Sequence, residues 1–141
     1  MENRLIILKS NWGIVIIYDF EIMEEFEVNS KDVYHLGKKI YIKVDKQSFD
    51  SKSFHFFIEG VKKVLPLIRE DGVCFHVKKI EYNYAHYQPE AMYYVFKKWY
   101  CESQGIKMEP INVSYDKEKN RYIFPDLMEI EKKWEQENPA I

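Results

Sequence analysis

The sequence predicts an α+β fold: a mostly antiparallel sheet with two long helices on one face and a C-terminal helix. Three observations carry that prediction. The amino end holds two β-branched runs, "RLIIL" and "GIVIIY"; the middle holds apolar residues at helical spacing; and the elements follow one another as strands, helix, strand, helix, hairpin, helix. A chain of 141 residues, 46% of them hydrophobic, is the right size for one buried core, so a single domain over residues 1–141 is expected.

The two opening runs are separated by "KSNWG", where Asn11 and Gly13 supply a turn, and they read as paired strands. In "EIMEEFEV" the alternation of Ile22, Phe26 and Val28 with acids suits a third strand with an acidic outer face. The segment "SKDVYHLGKKIYIKVDKQ" carries two periods at once: Val33, Leu36, Ile40 and Val44 keep helical spacing, while Ile40, Ile42 and Val44 alternate. Gly37 favours a short helical turn followed by a strand. The clearest helix begins near Asp50 or Ser51, with Phe54, Phe57, Ile58, Val61, Leu65 and Ile68 on one side. Pro66 lacks an amide hydrogen, so this helix should kink or restart near Val64.

A strand then runs from Val73 towards Tyr84. Val73, Phe75 and Val77 have one parity and Ile80, Tyr82 and Tyr84 the other, so a bulge at Lys78 or Lys79 lets both sets face the core. "QPEAMYYVFKKWYCESQG" reads as the second long helix, with Pro89 in its first turn, Glu90 complementing its dipole and Gly105 closing it. The tyrosines crowded between Ile80 and Tyr100 fall at the edge of the buried faces, where a ring buries its body and keeps its hydroxyl wet. "INVSY" and "RYIF" flank the polar loop "DKEKN" as a hairpin, and Asp126 with Glu129 three positions later opens the last helix, docked by Leu127, Ile130 and Trp134.

Composition narrows the function classes. A net charge of −2 and a pI near 6.1 argue against a chain whose whole surface binds nucleic acid. Cys74 and Cys101 are too few for a disulfide framework or a zinc site, which fits reduced thiols in a cytoplasmic protein, each a small core residue. Neither opening apolar run is long enough to span a bilayer, so no membrane role is expected. His35, His55, His76 and His86 share no close ligand spacing, so neither metal nor cofactor is implied. There is no Gly-rich phosphate loop, HExxH helix, nucleophile elbow or CxxC. The residual catalytic arrangement is His76 or His86 with Glu81 or Glu90, beside Lys78 and Lys79, as a metal-free nuclease needs for proton transfer and phosphate stabilisation.

Two charged surfaces point to different partners. "DFEIMEEFE" carries Asp19, Glu21, Glu24, Glu25 and Glu27 and no base, and the chain from Asp126 onward is again acidic. Such segments attract a cationic protein and steer its approach. The opposing set comprises Lys62, Lys63, Arg69, Lys78, Lys79, Lys97 and Lys98; with Tyr82, Tyr84, Tyr87 and His86 nearby it suits RNA phosphates held while rings stack on bases. For both surfaces the plainer alternative is a solvated face.

From "KKIYIKVDKQSF" through "FHFFIEGVKKVLPLIREDG" and "VCFHVKKIEYNY" to "PEAMYYVFKKWYCESQG", about residues 38–105, the order strand, long helix containing Pro66, strand, helix resembles the fourth domain of translation elongation factor G. The resemblance implies a fold and carries over no functional residue. The expectation is therefore a small cytoplasmic α+β protein that works by binding. The first reading is an immunity or antitoxin protein whose acidic segments mask a basic toxin. The alternatives are an RNA- or ribosome-associated module using Lys78, Lys79, Tyr82, Tyr84, His86, Lys97 and Lys98, and a metal-free nuclease.

Overall fold

The computed structural model describes residues 3–139. Strands β1 (Asn3–Leu8) and β2 (Gly13–Met23) form the opening hairpin, and β3 (Val33–Gly37) and β4 (Ile40–Lys43) a second one. Helix α1 (Ser51–Val64) leads to β5 (Val73–Tyr82), and α2 (Val95–Gln104) follows. A small hairpin of β6 (Ser114–Asp116) and β7 (Arg121–Ile123) precedes α3 (Met128–Glu137). The five-stranded sheet has the order β1-β2-β5-β4-β3 and is antiparallel except where β4 meets β5; α1 is the crossover between that parallel pair. This is the α+β architecture the sequence predicts.

The helices share one face of the sheet. Phe20 of β2 meets Phe57 of α1 and both Phe96 and Trp99 of α2, while Phe75 of β5 meets Phe96 and Tyr100. Ile14, Ile16 and Tyr18 of β2, with Ile40 and Ile42 of β4, complete the buried layer. On the sheet's other face at β1, Ile6 and Leu8 are exposed. Among the described residues no helix is long and apolar enough to cross a membrane.

β5 changes parity through a bulge, as its sequence predicts. Asp19 pairs with Lys79 and Phe20 with Val77, so Lys78 is the extra residue that switches the inward set from Phe75 and Val77 to Ile80 and Tyr82. The expected break near Pro66 is present too: the α-helical winding stops at Val64 and a single 3₁₀ turn, Leu65–Leu67, follows.

Four expectations are corrected. The segment after Glu21 is no separate strand: β2 itself runs on to Met23, its last partner on β5 is Cys74, and the adjacent carboxylates of Glu24 and Glu25 leave Phe26 and Val28 in a loop. Val33 to Gly37 is a strand rather than a helical turn, because a ladder to β4 outweighs the coincident helical spacing; Gly37 and Lys38, both at positive φ, make the tight turn. The buried side of α1 centres on Phe56, Phe57, Gly60, Val61 and Val64, with Phe54 and Ile58 only half-buried. Its rotation follows from Gly60, whose missing side chain lets the helix lie against the backbone of Tyr93. Asp126 does not cap α3: a 3₁₀ turn, Pro125–Leu127, opens that helix, and the Asp126 carboxylate accepts from Asn112 Nδ2 at 3.4 Å instead.

The second long helix also starts differently. Pro89 to Tyr94 wind as a 3₁₀ helix before α2 begins, and at three residues per turn Ala91 and Tyr94, like Met92 and Val95, come to lie on the same buried side. Gly105 ends α2 in the left-handed conformation, its amide donating back to Glu102.

Candidate functional site

The acidic segment divides into two parts of different chemistry. Asp19 and Glu21 alternate with the buried Tyr18 and Phe20 on β2 and point to the sheet's open face. There they meet β5: His76 Nδ1 lies 2.8 Å from Glu21 Oε1, and Lys78 Nζ lies 3.8 Å from Asp19 and 3.9 Å from Glu21. The hydrogen bond from His76, with Lys78 adding to it, holds the Glu21 carboxyl below the usual carboxylate range. These two acids are partly offset by their own sheet.

Glu24, Glu25 and Glu27 are different. They lie on the loop between β2 and β3, are exposed, and form no ion pair among the described residues. The loop is nonetheless anchored. The Phe26 ring packs 5.2 Å from Tyr41, which lies against His35, and the Ser30 amide donates to the Glu27 carbonyl to form a turn. Beside the carboxylates, Ile22 and Val28 are 40% and 49% exposed, large apolar side chains left partly in solvent. The sequence places both on a third strand whose acids disfavour deep burial; the exposure agrees with that, while Ile22 belongs to β2 and Val28 to the loop.

The lysines and aromatics of the second candidate surface are not brought together. Lys78 and Lys79 extend from β5 on the open face, Lys78 beside Asp19 and Glu21 and Lys79 3.8 Å from Glu81. Lys97 and Lys98 lie on α2, which covers the opposite face, and Lys98 pairs with Glu102 one turn on. Tyr82 and Tyr87 stack with centroids 3.9 Å apart, and Tyr84, 71% exposed, meets Tyr82 edge-on at 5.1 Å. The Tyr87 hydroxyl lies 2.5 Å from Ser53 Oγ on α1, and burial pushes both the Tyr82 and Tyr87 phenols well above their ordinary pKa. The group is therefore a packed corner with one ring, Tyr84, largely exposed at its edge.

The nuclease arrangement is dispersed. Glu90 is buried and takes a 2.8 Å ion pair from Arg121 and a hydrogen bond from Gln88, facing the small hairpin rather than His86. His76 has Glu21 as its partner, on an open sheet face. His86 lies 6.2 Å from the Trp12 ring and borders an open groove of about 380 Å³ lined otherwise by Asn11, Trp12, Gly13, Val15 and Asn83, none of them an acid or a base. Among the described residues no three His, Cys, Asp or Glu side chains converge as a metal-binding group.

One feature invisible in the sequence is the corner where the small hairpin docks. Trp12 Nε1 donates to Tyr115 and Asn120, each at 3.0 Å, and Tyr122 Oη donates to the Trp12 carbonyl at 2.6 Å. Gln88 completes the junction, its amide accepting from Tyr122 N at 2.5 Å and donating to Tyr122 O at 2.9 Å. With these surfaces defined, comparison with known proteins adds no analogue: the chain matches no family model, no curated protein and no solved structure.

Proposed function

We propose that the chain is a non-catalytic protein-binding domain of the immunity or antitoxin class. It engages a basic partner, such as a nuclease toxin, in the cytoplasm through Glu24, Glu25 and Glu27. The observation that carries this reading is the loop after β2: three exposed carboxylates that form no ion pair among the described residues, held in place by Phe26 and flanked by the exposed Ile22 and Val28. Apolar anchors inside a charged rim are the composition of a protein interface, and unpaired carboxylates steer a cationic partner at a distance. Asp19 and Glu21 extend the acidic surface but contribute less, since Lys78 and His76 already offset them.

A second reading, an RNA-associated module, has one observation in its favour: the Tyr84 ring, 71% exposed, on which a base can stack. Against it stands the division of its lysines between two faces of the sheet, which breaks a continuous phosphate track. The two readings separate in one experiment. The product of the gene adjacent to this one and bulk RNA are each titrated against the purified chain, and nuclease activity of that product is followed. Tight 1:1 binding with inhibition supports the immunity reading; retention of RNA with no effect on the neighbouring product overturns it.

A further inference from the structure

Lysines in this fold divide by what meets them. Lys52 pairs with Glu131, Lys98 with Glu102 and Lys133 with Glu59, and Lys78 and Lys79 of β5 likewise lie beside carboxylates. Lys62, Lys63 and Lys97 form no ion pair among the described residues, yet all three line one open groove of about 580 Å³ between the second half of α1, the segment running into α2, and the start of α3. Lys62 and Lys63 occupy the last turn of α1, where a cation complements the helix dipole. Lys97 has no such explanation: it is half-buried, as Lys52 and Lys98 are, but lacks the carboxylate that each of those has. The convergence is built into the packing. Gly60 lets α1 lie against the backbone of Tyr93; Lys63 follows Gly60 by three residues and Lys97 follows Tyr93 by four, so that contact carries both side chains to the walls of the groove. The groove's two carboxylates have partners elsewhere: Glu59 lies 3.4 Å from Lys133 Nζ, and Asp126 accepts from Asn112 Nδ2 at 3.4 Å. The Tyr93 hydroxyl makes no hydrogen bond among the described residues. Burial, with Glu59 and Asp126 adding to it, raises that phenol above its ordinary pKa, so it keeps its proton at neutral pH and is a donor.

We propose that this groove binds a small phosphorylated ligand, its phosphate groups held by Lys62, Lys63 and Lys97 and by a hydrogen bond from Tyr93. Three ammonium groups without counter-ions call for a ligand with two or more negative charges, and lysine meets phosphate as a mobile point charge, without the planar fork that matches a carboxylate. The volume is more than a lone phosphate fills and lies within the range of about 300–1,000 Å³ typical of small-molecule sites. Glu59 and Asp126 line the same groove, and each keeps acceptor lone pairs for hydroxyl groups, so the ligand bears hydroxyls besides phosphate, as a sugar phosphate or a nucleotide does. The same two carboxylates disfavour a nucleic-acid strand, whose next phosphates they would repel. The groove shares no residue with the acidic loop of Glu24, Glu25 and Glu27, so neither reading depends on the other.

Calorimetric titration of the full chain at low ionic strength, with the sodium salts of adenosine triphosphate, ribose 5-phosphate and inorganic tripolyphosphate as probes, should show one ligand bound per chain. Tightest binding of the nucleotide or of the sugar phosphate identifies the part of the ligand beyond its phosphates. Lys62→Gln, Lys63→Gln and Lys97→Gln combined should weaken that binding by at least about tenfold, the loss expected for hydrogen bonds between charged groups. A control with the same change in net charge, Lys39→Gln, Lys107→Gln and Lys117→Gln, all exposed and outside the groove, should leave it within about twofold. Tyr93→Phe keeps the ring and should weaken binding by about threefold or more through the lost donor. Failure of all three probes to bind at millimolar concentration overturns the proposal, as does a control that weakens binding as much as the groove variant. Single-stranded RNA that displaces the probes with an affinity growing with its length also overturns it, in favour of a nucleic-acid track. Should the triple groove variant unfold, Lys62→Gln alone, at an exposed position, still decides the question.

Discussion

Gly60 lies where α1 meets the 3₁₀ segment that leads into α2, and a Cβ built there runs into the Tyr93 carbonyl. Alanine is ordinarily the better helix residue by about 1 kcal/mol. Here steric overlap with backbone reverses the sign, and Gly60→Ala should destabilise the fold by about 1–3 kcal/mol because the two helical segments must separate. Urea denaturation that finds the variant as stable as the parent, or more so, would show that the segments have room to spare. The cysteines make a second case. Cys74 is fully buried in β5 and burial pushes its thiol up to about 11, while Cys101 is buried on α2. Neither should react with a thiol reagent at neutral pH until the protein unfolds; rapid labelling of the native chain would place one of them at the surface. The thiols were legible as core residues from their small, apolar character. Gly60 was not, because its need for a missing side chain is set by Tyr93, a residue distant in sequence.

Among the elements, those whose pattern had one interpretation were readable and those with two were not. The parity switch between Val77 and Ile80 has a single economical solution, and the bulge at Lys78 is that solution. Val33 to Val44 satisfies both periods, and only the presence of β5 as a parallel neighbour for β4 selects the hairpin. The corner joining the small hairpin to the sheet rests on a polar side chain that periodicity cannot flag. Gln88 takes the place of a neighbouring strand for Tyr122, satisfying both its amide and its carbonyl in a buried setting. Gln88→Met keeps the volume but strands those two groups, so the cost should be about 1–3 kcal/mol. Hydrogen exchange at the Tyr122 amide should accelerate by more than at the β1–β2 ladder. Equal protection in parent and variant would mean that Trp12 and Tyr115 hold the hairpin without it.

Across the whole molecule, sequence alone treated the acids of "DFEIMEEFE" as one surface and the lysines as another, and the fold redraws both. The sheet lays Lys78 and His76 beside Asp19 and Glu21, while leaving Glu24, Glu25 and Glu27 unpaired on a loop. That division depends on which strand lies next to β2, and no local pattern in either segment states it. It sharpens the test of the binding reading. Reversing Glu24, Glu25 and Glu27 to lysine should leave stability within about 0.5 kcal/mol, as expected for exposed side chains without partners. The same change should slow association with a basic partner by about 10- to 100-fold at low ionic strength, an effect that added salt reduces by screening both proteins. Reversing Lys97 and Lys98 should leave that rate unchanged, because α2 lies across the sheet from the loop. Urea denaturation reads the stability, and stopped-flow association at two salt concentrations reads the rates. If the glutamate variant associates at the parental rate while the lysine variant loses affinity for bulk RNA with a flatter salt slope, the loop is an ordinary solvated turn and the helix face is the working surface.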